Sequence, residues 1–178
     1  MALSVVREKE LGSIVNFYAT PVRKMEFLLG KQLPYIVVSL ISFFGLVTFA
    51  IYVFQVPLKG SLFTLTLGVF LYIICTTAIG LFISSFVKTQ IAALMGTAIL
   101  TFLPTIQFSG LKEPVSSLEG VAQYIGNIFP VTYFINISRG VFSKNVSFSE
   151  LRFEFFVLSI SIFVILYCSY LVLNKQEK

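Results

Sequence analysis

Charged residues interrupt this chain so sparsely that the gaps between them outline its architecture. No Asp, Glu, Lys or Arg occurs between Lys31 and Lys59, Lys59 and Lys88, Lys88 and Lys112, or Glu154 and Lys175. Each gap holds at least the roughly 20 apolar residues that carry a helix across a bilayer core of about 30 Å. The pattern predicts four spanning helices, near 33–56, 61–86, 89–110 and 155–173. A fifth uncharged stretch, Glu119 to Arg139, contains Gly120, Gly126, Asn127, Pro130 and Asn136. Such breakers would leave backbone groups unsatisfied in lipid, so we read it as a re-entrant or external helical segment within 111–150. The expected fold is all-α.

Four spans put both termini on one side, with Arg7, Lys9, Arg23, Lys24, Lys31, Lys88, Lys175 and Lys178. Lys59, Lys112, Arg139, Lys144 and Arg152 fall opposite. The positive-inside rule makes the first side cytoplasmic. Composition agrees with a membrane protein: 57% of the 178 residues are hydrophobic and 12% charged, and the mean hydropathy is +0.92. The net charge of +5 is then a topological signal and not a nucleic-acid footprint, and no nucleic-acid partner is expected.

Small residues mark packing faces on the second and third spans: Thr76, Gly80 and Ser84 recur every fourth position, as do Ala92 and Gly96. Small side chains let helix backbones approach closely in lipid. Pro104, inside the third span, removes one helical hydrogen bond and frees a carbonyl a turn earlier, where the Thr101 hydroxyl can reach. It predicts a kink, static or gating. Gln107, one turn on, is polar near the outer face, either lining a vestibule or lying at headgroup depth.

Several chemistries are disfavoured. The sequence has no histidine, the commonest general base and metal ligand near neutral pH. Gly30-Lys31 is followed by Gln32, and position 25 is Met, so the phosphate-cradling loop pattern fails at both ends. The spans carry no charged residue, whereas proton- and ion-driven carriers place ionisable groups there. Cys75 and Cys168 lie within spans, where a thiol packs as a small apolar group, and no cofactor or metal is expected.

Before the first span stands REKELGSIVNFYATPVRK, residues 7–24. On a helix, Leu11, Ile14, Val15 and Tyr18 form one apolar stripe, with Glu8, Lys9, Ser13 and Asn16 largely off it. Thr20-Pro21 ends the helix, because the residue before proline avoids the helical region. Two readings stay open: a helix lying flat in the lipid interface, or one docking its stripe into a groove on a soluble partner.

The stretch REKELGSIVNFYATPVRKMEFLLGKQLPY resembles the cytoplasmic coupling segment of ABC-2 type permeases, the membrane subunits of a class of ATP-binding-cassette exporters. VPLKGS, IGLFISSFVKTQ, PTIQFSGLKEPVSS and FPVTYFINISRGVFSK agree in order. The resemblance implies a single membrane domain over 1–178 that corresponds to the C-terminal half of such a permease, with Met1–Val6 resembling the last turn of a preceding helix. It implies an ATPase-subunit contact through Glu8, Glu10, Leu11, Ile14, Val15 and Tyr18, with ATP held by that partner and no catalysis in this chain. A second permease copy and membrane lipids are the other implied partners. The segment from Lys112 to Lys144 would shape the exit, with Pro104, Gln107, Pro130 and Tyr133 as candidate pathway or gate residues. An amphiphilic or apolar substrate would leave the cytoplasm across a bacterial inner membrane. The alternative is a non-transporting membrane partner of a full-length permease.

Overall fold

The computed structural model describes residues 1–11, 24–111, 115–144 and 146–172. The described elements are helical: α1 (Ala2–Glu10), α2 (Lys24–Tyr52), α3 (Leu62–Phe86), α4 (Gln90–Thr97), α5 (Leu103–Phe108), α6 (Val121–Ile128), α7 (Pro130–Arg139) and α8 (Arg152–Val172). A π-helical stretch, Ala98–Phe102, joins α4 to α5, so that Gln90–Phe108 reads as one membrane-crossing unit. With Leu28–Tyr52, Leu62–Phe86 and Arg152–Val172 it makes four helices long and apolar enough to cross a membrane. The chain is a multi-pass membrane protein.

The helix α3 is the hub. It packs on α1, α2, α4, α7 and α8, most extensively on α8. At one end of the bundle Val47 of α2, Leu65 of α3, Ile137 of α7, Leu151 just before α8, and Phe155 and Leu158 in its first two turns form the main apolar cluster. At the other end Val5 of α1, Leu28 of α2 and Leu81 of α3 form a smaller one. Glycines set the closest approaches. A Cβ on Gly68 would come within 2.9 Å of Ile137 Cγ2, and one on Gly60 within 2.9 Å of the Val141 carbonyl oxygen. The Gly60 amide donates to that same carbonyl at 2.8 Å, pinning the α2–α3 link to the segment after α7.

The uncharged stretch before the last span is two short helices, α6 and α7, broken at Phe129, whose ψ of 124° is extended. Pro130, at the first position of α7, has no amide hydrogen to offer and suits a helix start. The Thr132 hydroxyl donates back to the Gly126 carbonyl at 2.6 Å and closes the break.

Two details of the third span differ from the sequence reading. Thr101 gives its hydroxyl to the Thr97 carbonyl at 2.5 Å and not to Leu100, the residue four before Pro104. A threonine hydroxyl in a helix reaches back to its own i−4 carbonyl, and the backbone accommodates the proline instead through the π-helical stretch before it. On α4 the buried small residue is Ala93, whereas Ala92 is exposed; Gly96 faces Ile83, with 3.8 Å from its would-be Cβ to Cγ2. Gly96 of the expected pair therefore faces α3, whereas Ala92 does not share its burial.

Candidate functional site

The end of the bundle that holds the smaller apolar cluster is organised by α1. Its apolar side, with Val5 and Val6 fully buried, lies on α3 and α4. Gly80 leaves the room: a Cβ there would stand 3.2 Å from Met1 Cβ. Gly80 thus lets α1 lie close against α3.

Three consecutive charged residues then tie α1 to three different elements. Glu8 pairs with Lys31 on α2. Lys9 Nζ donates to the Ser84 carbonyl at 2.9 Å and the Ser85 carbonyl at 3.4 Å. These belong to the last turn of α3, where carbonyls lack helical partners and the dipole favours a cation. Glu10 accepts from the Gln90 backbone amide at 2.7 Å and from its side-chain amide. Gln90 opens α4, whose free amides and positive dipole end favour an anion. The Gln90 side chain first, and its backbone amide second, hold the Glu10 carboxyl below the usual range. Lys9 and Glu10 therefore cap the two helix ends that flank the Val87-Lys88-Thr89 turn, while the Thr89 hydroxyl accepts from Ala92 N at 3.3 Å as the local cap of α4.

Of the expected ATPase-facing residues, Glu8 and Glu10 have their carboxylates engaged inside the chain. Leu11, at the end of α1, is 68% exposed. Ile14, Val15 and Tyr18, with Thr20-Pro21, lie outside the described residues.

The four candidate pathway residues are not brought to one place. Pro104 is the second residue of α5 and half-buried, and Gln107 is exposed. Pro130 is buried and walls an apolar cavity of about 420 Å³ with Phe82, Ile128, Ile160 and Val164. Tyr133, on the same helix, faces a different and polar cavity of about 610 Å³ that also takes in Asn127, Asn136, Arg139 and Glu154. Its hydroxyl donates to the Asn127 carbonyl, and its ring meets Phe153 edge-on at 6.1 Å. Burial, and then the neighbouring Glu154 carboxylate, raise the Tyr133 phenol above its ordinary pKa.

A third cavity, of about 390 Å³, was not anticipated. Thr97, Thr101 and Thr105 line it from the third span, opposite Tyr72, Thr76 and Gly80 of α3 and beside Ala2 of α1. Thr76, Thr97 and Thr101 donate to carbonyls of their own helices, so those hydroxyls keep free lone pairs without an unmade donor. The i, i+4, i+8 repeat of threonine was the available signal, since residues four apart share a helix face.

The fold defines a class: an all-helical, multi-pass membrane protein whose helices converge on one central span. The comparisons narrow it. A family model described as ABC-2 family transporter protein matches residues 1–172, and the chain belongs to that family, as its motifs suggest. It is 28% identical over 146 residues to the probable multidrug ABC transporter permease YbhR of Escherichia coli K12, covering 82% of this chain and 39% of the relative. It is 28% identical over 158 residues to the inner membrane transport permease YhhJ of Escherichia coli K12, covering 87% and 41%. It is 27% identical over 179 residues to ABC transporter G family member 20 of Dictyostelium discoideum, covering 99% and 24%. The chain spans about two fifths of the length of the bacterial relatives. No solved structure matches it significantly.

Proposed function

We propose that this chain is membrane-spanning permease of an ATP-driven ABC-2 exporter, moving an amphiphilic or hydrophobic substrate out of the cytoplasm with ATP bound and hydrolysed by a separate subunit. The observation that carries the reading is the triple tie of Glu8, Lys9 and Glu10 to α2, α3 and α4. A segment so attached moves the inner ends of three spans when its continuation is displaced. Leu11 and the stripe Ile14, Val15 and Tyr18 dock on the ATPase subunit, and Glu8 and Glu10 hold the docked segment to the spans. In this reading both termini are cytoplasmic, and the membrane is a bacterial inner membrane, as the name of the inner membrane transport permease YhhJ has it for that relative. A second permease, identical or homologous, completes the path.

The threonine-lined cavity supports an amphiphilic cargo: its apolar surface exceeds its polar surface, and hydroxyl lone pairs offer acceptors. The name multidrug, borne by YbhR, points to drug-like molecules. Pro104, Gln107, Pro130 and Tyr133 shape the exit in this scheme, around the re-entrant pair α6–α7.

The test is co-purification with an ATPase subunit and dye export, for the native chain and for Leu11→Asp with Ile14→Asp. The native chain retains the ATPase; the double variant inserts normally but loses ATPase association and export. Unchanged association and export in that variant would show that this segment is not the coupling surface.

A further inference from the structure

The polar cavity between α7 and α8 has chemistry that the transport reading does not use. It lies at the end of the bundle away from α1, where α7 stops at Arg139 and α8 starts at Arg152. Glu154, in the first turn of α8, lines it, and its Oε2 is buried without a hydrogen-bond partner among the described residues. A carboxylate oxygen is an acceptor only, and one left unpaired away from water calls for a donor. Arg139 lines the same cavity and gives one N–H to the Leu111 carbonyl at 3.1 Å, out of the five that a guanidinium carries. Anion and cation thus line one space, and no ion pair joins them among the described residues. The cavity, at about 610 Å³, falls within the roughly 300–1,000 Å³ of small-ligand sites.

We infer that this cavity is a headgroup site for an ethanolamine phospholipid. The ligand brings an N–H donor to the Glu154 carboxylate and an anion to Arg139, and phosphoethanolamine carries both. Its primary ammonium has three donors, and guanidinium–phosphate pairs form strong charge-assisted bonds. A choline headgroup has no N–H and cannot satisfy the carboxylate oxygen; a glycerol headgroup brings hydroxyl donors but no positive charge. Phe153, which lines the cavity and is 65% exposed, offers an apolar flank for the acyl chains. The assignment stands on the cavity alone and holds whether the lipid is cargo or a fixed neighbour.

The experiment is native mass spectrometry of the full chain released from nanodiscs of phosphatidylethanolamine, phosphatidylcholine or phosphatidylglycerol, each lipid at equal mole fraction in phosphatidylcholine where mixed. One phosphatidylethanolamine is retained in roughly tenfold preference to either other lipid, the factor that one charge-assisted bond of about 1.4 kcal/mol supplies. Glu154→Gln lowers its retention to the phosphatidylcholine level, and Arg139→Gln lowers it independently. Soluble phosphoethanolamine, added at millimolar concentration, displaces the lipid only weakly, because it lacks the chains that lie along Phe153. Equal retention of the three lipids, or undiminished phosphatidylethanolamine on both variants, would show that the cavity holds only water. Full displacement by soluble phosphoethanolamine would overturn the lipid assignment in favour of a soluble zwitterion.

Discussion

The helices α2 and α3 look alike as sequence and behave unlike in the structure. Their candidate spans, Leu28–Tyr52 and Leu62–Phe86, are both 25 residues long, with mean hydropathies of 2.1 and 2.2. Yet α3 buries eleven residues, among them Thr64, Leu65, Gly68, Cys75, Ala78 and Ser84, whereas on α2 the buried side chains among the described residues are Leu28, Gln32 and Val47. Hydropathy reports that a helix crosses the membrane. What it packs against is set by where small residues and hydroxyls fall, because lipid tails compete with any apolar partner and only close fit distinguishes the two. Gly68, Ala78 and Gly80 give α3 grooves that α2 lacks. Gly45, the glycine in the middle of α2, has nothing within 4 Å of a would-be Cβ.

That contrast is open to direct attack, and the largest effect is expected from truncation. Leu65, 1% exposed on α3, and Leu46, 70% exposed on α2, are chemically the same residue. Leu65→Ala destabilises by about 2–3 kcal/mol, the lower part of the range for buried leucines because lipid and not water solvates the alternative; Leu46→Ala changes stability by less than about 0.5 kcal/mol. Unfolding by SDS titration in mixed micelles reads both. Equal losses would mean that α3 is no hub.

Overpacking comes next. Gly68→Leu forces its side chain against Ile137 and costs about 1–3 kcal/mol, whereas Gly45→Leu meets open space and is neutral or slightly stabilising, since glycine is a poor helix former. The same titration compares them, and a neutral Gly68→Leu would contradict the packing of α3 on α7.

A smaller effect attaches to the polar link between the two helices. Gln32 Nε2 donates to Thr77 Oγ1 at 3.2 Å and to the Ile74 carbonyl at 3.3 Å. Such bonds between membrane helices average about 0.6 kcal/mol, and Gln32 Oε1 is buried without a partner among the described residues. Gln32→Leu, which removes the bonds and the unsatisfied oxygen together, is therefore expected within about 0.5 kcal/mol of the native chain. A loss above about 1 kcal/mol would mean that the oxygen is satisfied after all.

The smallest effect is the pH dependence of the Glu10–Gln90 tie. Because the folded state lowers the Glu10 pKa, its stabilisation is complete above the ordinary carboxylate value of about 4.3 and is lost as pH falls through the lower folded value. Hydrogen exchange at the Gln90 amide is expected to quicken in that acid window, relative to Glu10→Gln. An identical profile in the variant would remove Glu10 from the contact.

Much of this was legible in the chain. The spacing between charges outlines the spans because an uncompensated charge is excluded from lipid, and Gly120, Gly126 and Pro130 disqualify the stretch before α8 as a straight span. The ties of Glu8, Lys9 and Glu10 were not legible. Lys9 meets Ser84 75 residues later, and Glu10 meets Gln90 80 residues later; a contact between distant segments leaves no local period to read. In the sequence, Arg7 and Lys9 read as markers of one membrane side, and the family resemblance implied that Glu8 and Glu10 face a partner. The π-helical stretch before Pro104 was hidden for a related reason: the proline announces a disturbance, but neighbouring helices decide how the backbone absorbs it.

The central claim is that this charged turn links a docking segment to the spans, and the Glu8–Lys31 pair tests it most directly. With the chain co-expressed beside the ATPase subunit proposed for it, export of an amphiphilic dye is measured for Glu8→Lys, for Lys31→Glu and for the two combined. Each reversal alone is expected to leave ATPase association intact while export falls several-fold, and the combined exchange to restore export. Unchanged export in both single variants, or a combined variant no better than the worse single one, would contradict the linkage.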